Sequence, residues 1–575
     1  MPDSGIVTHS APPDASRGSW REALLAGLAG IVLVCLLRRP VLGRLTTGVP
    51  EDLGDPLLQA WQLAWGQHAL LTAPLAPFDA NTFWPLENSL AFSDSLLGYA
   101  PLGLLFAEGT GGALLRYNTI FLLTYALAFT GAYALARQLG AGRTAGAVAG
   151  LAFAYAPWHF AQEGHLQILS SGGIPLALAL LARGHGYRFG AGRAERRTGR
   201  QRPALVLAGW AVAAWQVTIG FGLGLQFGYL LGVLTVTYAA AWVLRGRRDG
   251  PPPSRRLVAA ELGGMALFLL VAITFALPYL AVVEAHPESR RTVADLQLFS
   301  PPAAGFVTAP ADSLLYGERQ QDQRAALGFA PEMTLAVGGT LVVLAAVGAA
   351  VGRWPRRRRW SLAGAAAMLL VLAMGTQFPG GGRWTYLLLF DHAPGWEGIR
   401  TPGRLVVPLT LALALLAATG VDRLREVAGG RRRALAAGAL AFALVGVESL
   451  GTTPVLPAPT APAALRAAAG PVLVLPSDSV SDLRAMFFST EGQYRLVNGY
   501  SGFTPTSLTN LRSAVAPFPD PASVQLLRQL GVRRVVLLPA AAVGTSWEQA
   551  AARPVAGLPL SRRLMGEAVV YELDR

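Results

Sequence analysis

Apolar runs of membrane length recur along this 575-residue chain. A helix needs about 20 mostly apolar residues to cross a bilayer. Eleven windows qualify: 20–42, 117–136, 144–160, 166–182, 204–222, 224–244, 257–283, 334–352, 360–377, 403–421 and 434–450. None has a charge cluster in its middle. The first follows Arg17 and Arg21 as a secretory signal would, but no small-x-small cleavage site comes after it, so it reads as an uncleaved anchor. The run 96–107 is apolar but short and interrupted by Pro101, which predicts a re-entrant or interfacial piece.

The polar positions between these windows are lopsided. Arginine clusters occupy 183–202, 245–256, 353–359 and 423–433, and Arg137 and Arg143 join them on the same side. That side is predicted to be cytoplasmic, because short cytoplasmic loops collect positive charge. Parity then puts the tail 1–19 inside and residues 451–575 outside. Arg38, Arg39 and Arg44 follow the first window on the outer side and stand against this majority. Three predicted outer segments are long, at 43–116, 284–333 and 378–402, and long loops usually carry function.

From 451 the pattern changes. Pro454, Pro457, Pro459 and Pro462 predict a stiff linker. Residues 471–476 read as a strand, 524–531 as a helix ending on glycine, and 533–539 as a buried strand. The predicted fold class is an all-α polytopic membrane protein with about 11 transmembrane helices over 20–450, followed by a small α/β extracytoplasmic domain over 451–575.

Composition agrees with this picture. The chain is 52% hydrophobic and 14% charged, against about 25% charge in an average soluble domain. That excludes a disordered chain and argues against a single soluble globule. The formal charge is +14, and all 48 basic residues are arginine. Of these, 26 lie in the N-terminal segment and the predicted inner loops, where they set orientation, so the basicity does not point to nucleic acid. A single cysteine, Cys35, excludes internal disulfides and thiolate metal clusters. No Walker loop, dinucleotide fingerprint, HExxH or G-x-S-x-G element is present.

The predicted outer segments hold the candidate chemistry. The stretch 43–116 opens with Glu51, Asp52 and Asp55, and the helix after them carries Trp61 and Trp65 one turn apart. Such a helix is expected to lie in the membrane interface with its indoles at headgroup depth. Asp55 precedes Pro56 and suits a plain helix cap. Three carboxylates in five residues exceed what a cap needs, and point instead to a general base or a divalent-cation site. Asp52, Asp55 and His165 are the metal candidates. Asp79, Glu87 and Asp94 stand among Phe78, Phe83, Trp84 and Phe92, a mixture that suits either sugar binding or an ordinary packed loop. In HFAQEGHLQ, Glu163 and His165 either join the acids of 51–55 or end a solvated turn. Arg400 and Arg404, in WEGIRTPGR, sit where a lipid phosphate would lie, and arginine forks match phosphate oxygens. The alternative is nonspecific headgroup anchoring. Arg290, Arg291, Asp295 and Glu332 are lesser candidates of the same kind.

Anchor helix, long acidic outer loop, paired helices and a terminal outer domain follow in order. Together with EDLGDPLLQAW, FWPLENSLAFSDSLLGYAP, AQEGHLQ, IRTPGR and LVNGYSGFTP, this resembles a bacterial subgroup of the GT-C superfamily of membrane glycosyltransferases. The resemblance implies a multi-pass enzyme of the cytoplasmic (inner) membrane. It would move a sugar from a polyprenyl-phosphate carrier to a glycan, lipid or protein acceptor, with inversion. It implies a catalytic acid at Asp52 or Asp55 and phosphate contact at Arg400 and Arg404. The family often shows two adjacent acids, which here are Glu51 and Asp52, while Asp55 heads the helix. A lipid-linked donor also explains the missing nucleotide motif. A flippase for lipid-linked saccharides would show more polar residues inside the spans than the isolated Gln216 and Gln226. A non-catalytic assembly protein of cell-envelope polysaccharide synthesis leaves the acid cluster unexplained.

Overall fold

The computed structural model describes residues 20–189, 201–245, 254–466 and 468–574. The tail 1–19 and Arg193, Arg196, Arg197, Arg200, Arg247 and Arg248 of the basic loops lie outside the described residues.

A helix occupies every predicted window. In chain order the helices are α1 (Trp20–Leu37), α2 (Asp55–Thr72), α3 (Gly109–Leu139), α4 (Arg143–Ala154), α5 (Gly173–Gly184), α6 (Pro203–Ile219), α7 (Phe221–Arg245), α8 (Arg255–Ala285), α9 (Gly339–Val351), α10 (Arg356–Ala373), α11 (Val406–Val427) and α12 (Arg431–Glu448). Among the described residues five stretches are long and apolar enough to cross a membrane unaided: Gly109–Leu139, Leu166–Gly184, Phe221–Ala240, Arg255–Ala285 and Pro402–Val427. The others are shorter or more charged than a full span. Helix α4 stops at Ala154, just ahead of Pro157, and α9 starts only after Gly338, whose positive φ ends an extended entry.

The helices divide into a centre and a periphery. In its most apolar stretch α11 is 89% buried and α8 only 11%, so α8 offers its surface to lipid and α11 is the core of the bundle. Helix α11 packs on α4, α9, α10 and α12, α3 packs on α1, α2, α4 and α5, and α6 joins α5 to α8. The α9–α11 contact is backbone to backbone. A Cβ on Gly348 would meet the Leu416 carbonyl, and one on Gly420 would stand 2.5 Å from the Leu344 carbonyl. Only small residues allow that approach.

Helix α2 corrects the sequence expectation. It does not lie in an interface: Trp61 and Trp65 are buried, and their indoles donate to Asn81 Oδ1 at 3.0 Å and to the Pro77 carbonyl at 2.9 Å. Its polar stripe is satisfied as well, with Gln59 bonded to Gln167, Gln62 to Ser93 and Gln67 to the Phe106 carbonyl. A helix with partners for both stripes becomes core, whatever its amphipathic pattern. The large apolar side chains that this loop does expose are Leu70, Leu71, Leu75, Leu104 and Leu105. The run 96–107 forms two short turns, Leu97–Tyr99 and Ala100–Gly103, and does not cross.

After α12 the chain returns to the first loop. Strand β1 (Gly48–Pro50) pairs antiparallel with β2 (Val455–Pro457). A four-stranded sheet follows, built from β3 (Val472–Leu475), β4 (Arg534–Leu537), β5 (Leu560–Met565) and β6 (Ala568–Leu573), in the order β3-β4-β6-β5. Strands β3 and β4 are parallel, joined through α13 (Ser479–Ser489), α14 (Thr506–Ala514) and α15 (Pro521–Gln529). The β5–β6 hairpin was not anticipated. It turns on Gly566-Glu567, where Gly566 takes the positive φ that a two-residue hairpin turn requires.

Candidate active site

The site grows from the first turn of α2. Asp55 is the first helical residue, yet its side chain makes no cap hydrogen bond. Asp52 Oδ1 accepts from the Gly54 N–H at 2.7 Å, so Asp52 braces the entry and Asp55 is left uncommitted. The Asp55 carboxylate reaches His165 Nε2 at 3.3 Å, with its side chain 34% exposed. His165 opens the short turn Leu166–Leu169, which Gln59 of α2 fixes by accepting from the Leu166 N–H at 2.9 Å. His165 Nε2 also lies 3.9 Å from Glu332 Oε1. Glu332 is buried and receives Arg404 Nη2 at 2.7 Å. Arg404 stands in the turn Pro402–Leu405 that leads into α11, and Arg400 stands two residues ahead of that turn with its guanidinium 4.9 Å above the Phe299 ring. Arg400 makes no ion pair among the described residues. The result is a chain Asp55–His165–Glu332–Arg404 with an unpaired arginine beside it.

Burial pushes the Asp55 carboxyl above the usual range, and the negative charge of Asp52 adds to it, against the pull of His165 and Arg404. Burial also pushes Glu332 up, but Arg404 and then His165 outweigh it and hold Glu332 below its ordinary value. Glu332 is therefore the fixed anion and Asp55 the carboxylate that can take a proton. Asp94 feels the same charges: burial raises its carboxyl, Arg404 opposes that, and its Oδ1 accepts from the Gly222 N–H at 3.4 Å. Glu51 is pushed up to about 8 by burial and by the neighbouring Glu163 and Asp52.

No family model matches the chain, and no curated protein matches it. Among solved structures it superposes on the arabinofuranosyltransferase AftD from Mycobacteria with a TM-score of 0.52, at 17% identity, over 97% of this chain and 40% of that one. A mutant form of the same enzyme gives a TM-score of 0.56 at 16% identity, over 97% and 42%. The chain has the GT-C fold. It spans about two-fifths of the length of AftD, and at these identities the likeness is one of architecture. An oligosaccharyltransferase from Archaeoglobus fulgidus aligns more loosely, at a TM-score of 0.46 and 14% identity, over 90% of this chain and 69% of that one.

Within the GT-C fold the remaining sequence candidates separate. Glu163 sits behind His165, with its side chain 2% exposed, paired with Arg38 at 2.7 Å and accepting from Tyr125 and Thr453. The Arg38 guanidinium lies over the Tyr125 and Phe160 rings. Arg38 therefore spends its charge inside the protein, which accounts for an arginine on the apparently wrong side. Asp79 is exposed and braces its loop by accepting from the Asn88 N–H at 2.8 Å, and Glu87 is exposed. The structure brings neither to Asp55. Asp295 closes a capping box with Thr292.

Asp52, Asp55 and His165 do not form a metal set. Among the described residues no group of three or more His, Cys, Asp or Glu side chains is arranged to hold an ion, and Asp52 Oδ1 is already bonded to Gly54. One residue carried no role in the sequence reading. Burial pushes the Tyr500 hydroxyl, in LVNGYSGFTP, above its ordinary value, and the charges of Asp55 and Asp52 add to that. Its only sequence signal was an aromatic between two glycines.

Proposed function

We propose that this chain is a membrane glycosyltransferase. It moves a sugar from a polyprenyl-phosphate carrier to an acceptor hydroxyl at the outer face of the bacterial cytoplasmic membrane, with inversion. The observation that carries this reading is the charged chain Asp55–His165–Glu332–Arg404, which ends on a partly exposed carboxylate and has Arg400 four residues before Arg404, outside any ion pair among the described residues.

Asp55 accepts the proton of the acceptor hydroxyl while His165 holds its carboxylate in place. The acceptor oxygen bonds to the anomeric carbon, and the bond from that carbon to the phosphate oxygen breaks on the opposite face. The departing polyprenyl phosphate takes the electron pair, and Arg400, free of a carboxylate partner, receives its charge. Arg404 is neutralised by Glu332 and acts by fixing His165 through that shared carboxylate. An apolar cavity of about 570 Å³ between α7 and α8, lined by Phe221, Leu225, Tyr229 and Phe268, suits the isoprenoid chain. Its Phe221 end adjoins Gly222, which faces Asp94. In this reading the bundle 20–450 holds the donor and residues 451–575 form an outer domain. The arginine distribution supports an inside N-terminus.

The test is transfer by the purified protein from radiolabelled polyprenyl-phosphate sugars, an arabinofuranosyl donor first because of the likeness to AftD. A positioned general base contributes roughly 10²–10⁴-fold, so Asp55→Asn is expected to lose that much activity while keeping its unfolding temperature. Undiminished transfer by Asp55→Asn would remove the base from this site. No label release by the wild type from any carrier would remove the activity.

A further inference from the structure

We infer that the segment Asn498–Phe503 of the C-terminal region walls the site, and that Tyr500 binds a sugar ring of the acceptor, so that the acceptor is a carbohydrate. This rests on the transferase reading above and names the substrate class it leaves open.

The segment is held rigidly from three directions. Along the first loop, backbone N–H groups pair Leu496 to the Asn81 carbonyl at 2.6 Å, Phe83 to Asn498 at 3.2 Å and Trp84 to Leu496 at 2.9 Å. Two glycines press it onto that loop: a Cβ on Gly499 would stand 2.4 Å from the Phe83 ring, and one on Gly502 would stand 2.6 Å from the Phe92 carbonyl. From the segment 284–333, Arg291 donates to the Gly502 carbonyl at 3.3 Å and His286 packs on the Phe503 ring, which Phe92 of the first loop also meets. From within the sheet domain, the fully buried Asp482 accepts from Asn498 Nδ2 at 2.6 Å and from the Gly499 N–H at 3.2 Å, and pairs with Arg512 at 2.7 Å. Asn498 in turn exchanges two hydrogen bonds with the Val474 backbone. The Tyr500 N–H donates to Met486 Sδ at 3.0 Å.

So much bracing around one side chain leaves that side chain as the segment's product. The Tyr500 ring is only partly buried, and its hydroxyl has no hydrogen-bond partner among the described residues. Gly502, two residues on, packs on the Phe92 carbonyl just ahead of Asp94, and Asp55, Asp52 and Arg400 are the charged groups that act on the Tyr500 hydroxyl. An aromatic face with a free hydroxyl beside two carboxylates matches a sugar ring: its C–H face stacks, and its hydroxyls donate to the carboxylates. The ring comes from the C-terminal region, and the donor's lipid cavity lies between α7 and α8. The group over Tyr500 is therefore the acceptor.

The experiment measures binding of short arabino- and manno-oligosaccharides to the full-length protein with no donor present, by saturation-transfer NMR and calorimetry. Wild type is expected to bind saturably. Tyr500→Ala is expected to weaken binding about tenfold, equivalent to about 1.4 kcal/mol, and Tyr500→Phe to keep most of it. Binding is read without a donor and transfer with one, so a failure of this inference and a failure of the catalytic reading are told apart. Full transfer by Asp55→Asn would unseat the base and leave Tyr500 in place. Unchanged binding by Tyr500→Ala overturns the inference, as does an absence of oligosaccharide binding to wild type or Tyr500-dependent binding of a peptide instead. If Tyr500→Ala lowers the unfolding temperature, Tyr500→Leu replaces it, and the same outcomes decide.

Discussion

At the scale of single residues, three neighbouring acids do three different things. Asp52 bonds Gly54, Asp55 faces His165, and Glu51 stands beside Glu163 with its proton held up to about pH 8. Glu51 has a consequence for stability. Its folded pKa lies above the ordinary 4.5, so the folded state binds that proton more tightly than the unfolded chain does. The contribution is complete below about 4.5 and is lost as pH rises through about 8. Thermal unfolding at a series of pH values should show Glu51→Gln gaining on wild type across that window, and parallel curves would count against it. Arg38 and Glu163 form the second pair worth breaking. Removing one partner of a buried ion pair costs about 3–5 kcal/mol. Arg38→Met should therefore lower the unfolding temperature sharply, and adding Glu163→Gln should recover part of the loss. The trio at 51–55 was legible as chemistry because three carboxylates are more than a helix start needs. Which of them stays free depended on Gly54 and His165, and no spacing reports that.

At the scale of elements, apolar length located the helices and misjudged their surroundings. Helix α2 carries the same tryptophan spacing that an interfacial helix would, but α3 and α13 close over it. Helices α9 and α11 show the reverse case, where a small residue is the whole signal. Gly348→Leu places a side chain where the Leu416 carbonyl lies. Overpacking of this kind typically costs about 1–3 kcal/mol. The variant should unfold at lower temperature in detergent, and Gly348→Ala should fall between it and wild type. An unfolding temperature unchanged by leucine would show that the two helices separate without cost.

At the scale of the whole molecule, the chain reaches its site from both ends. Pairing of β1 with β2 ties the start of the first loop to the start of the C-terminal region, and the Asn498–Phe503 segment closes on the same loop. The proposed orientation makes a direct prediction. In a Cys35→Ser background, a membrane-impermeant maleimide should label Ser546→Cys in intact cells and Arg432→Cys only after lysis. The opposite pattern would place the site on the cytoplasmic face.

The sequence by itself determined the membrane-length helices, the break in composition at 451 and the family likeness. These depend on local apolarity and turn residues, which each stretch of chain carries on its own. Only the tertiary structure decided which polar groups meet. Asp55, His165, Glu332 and Arg404 come from four segments spread over about 350 residues, and their 2.7–3.9 Å separations exist only after the bundle packs. The same packing turned Glu163 inward to Arg38 and left the Tyr500 ring only partly buried, because an unpaired ion is costly to bury and a tyrosine at the rim is not.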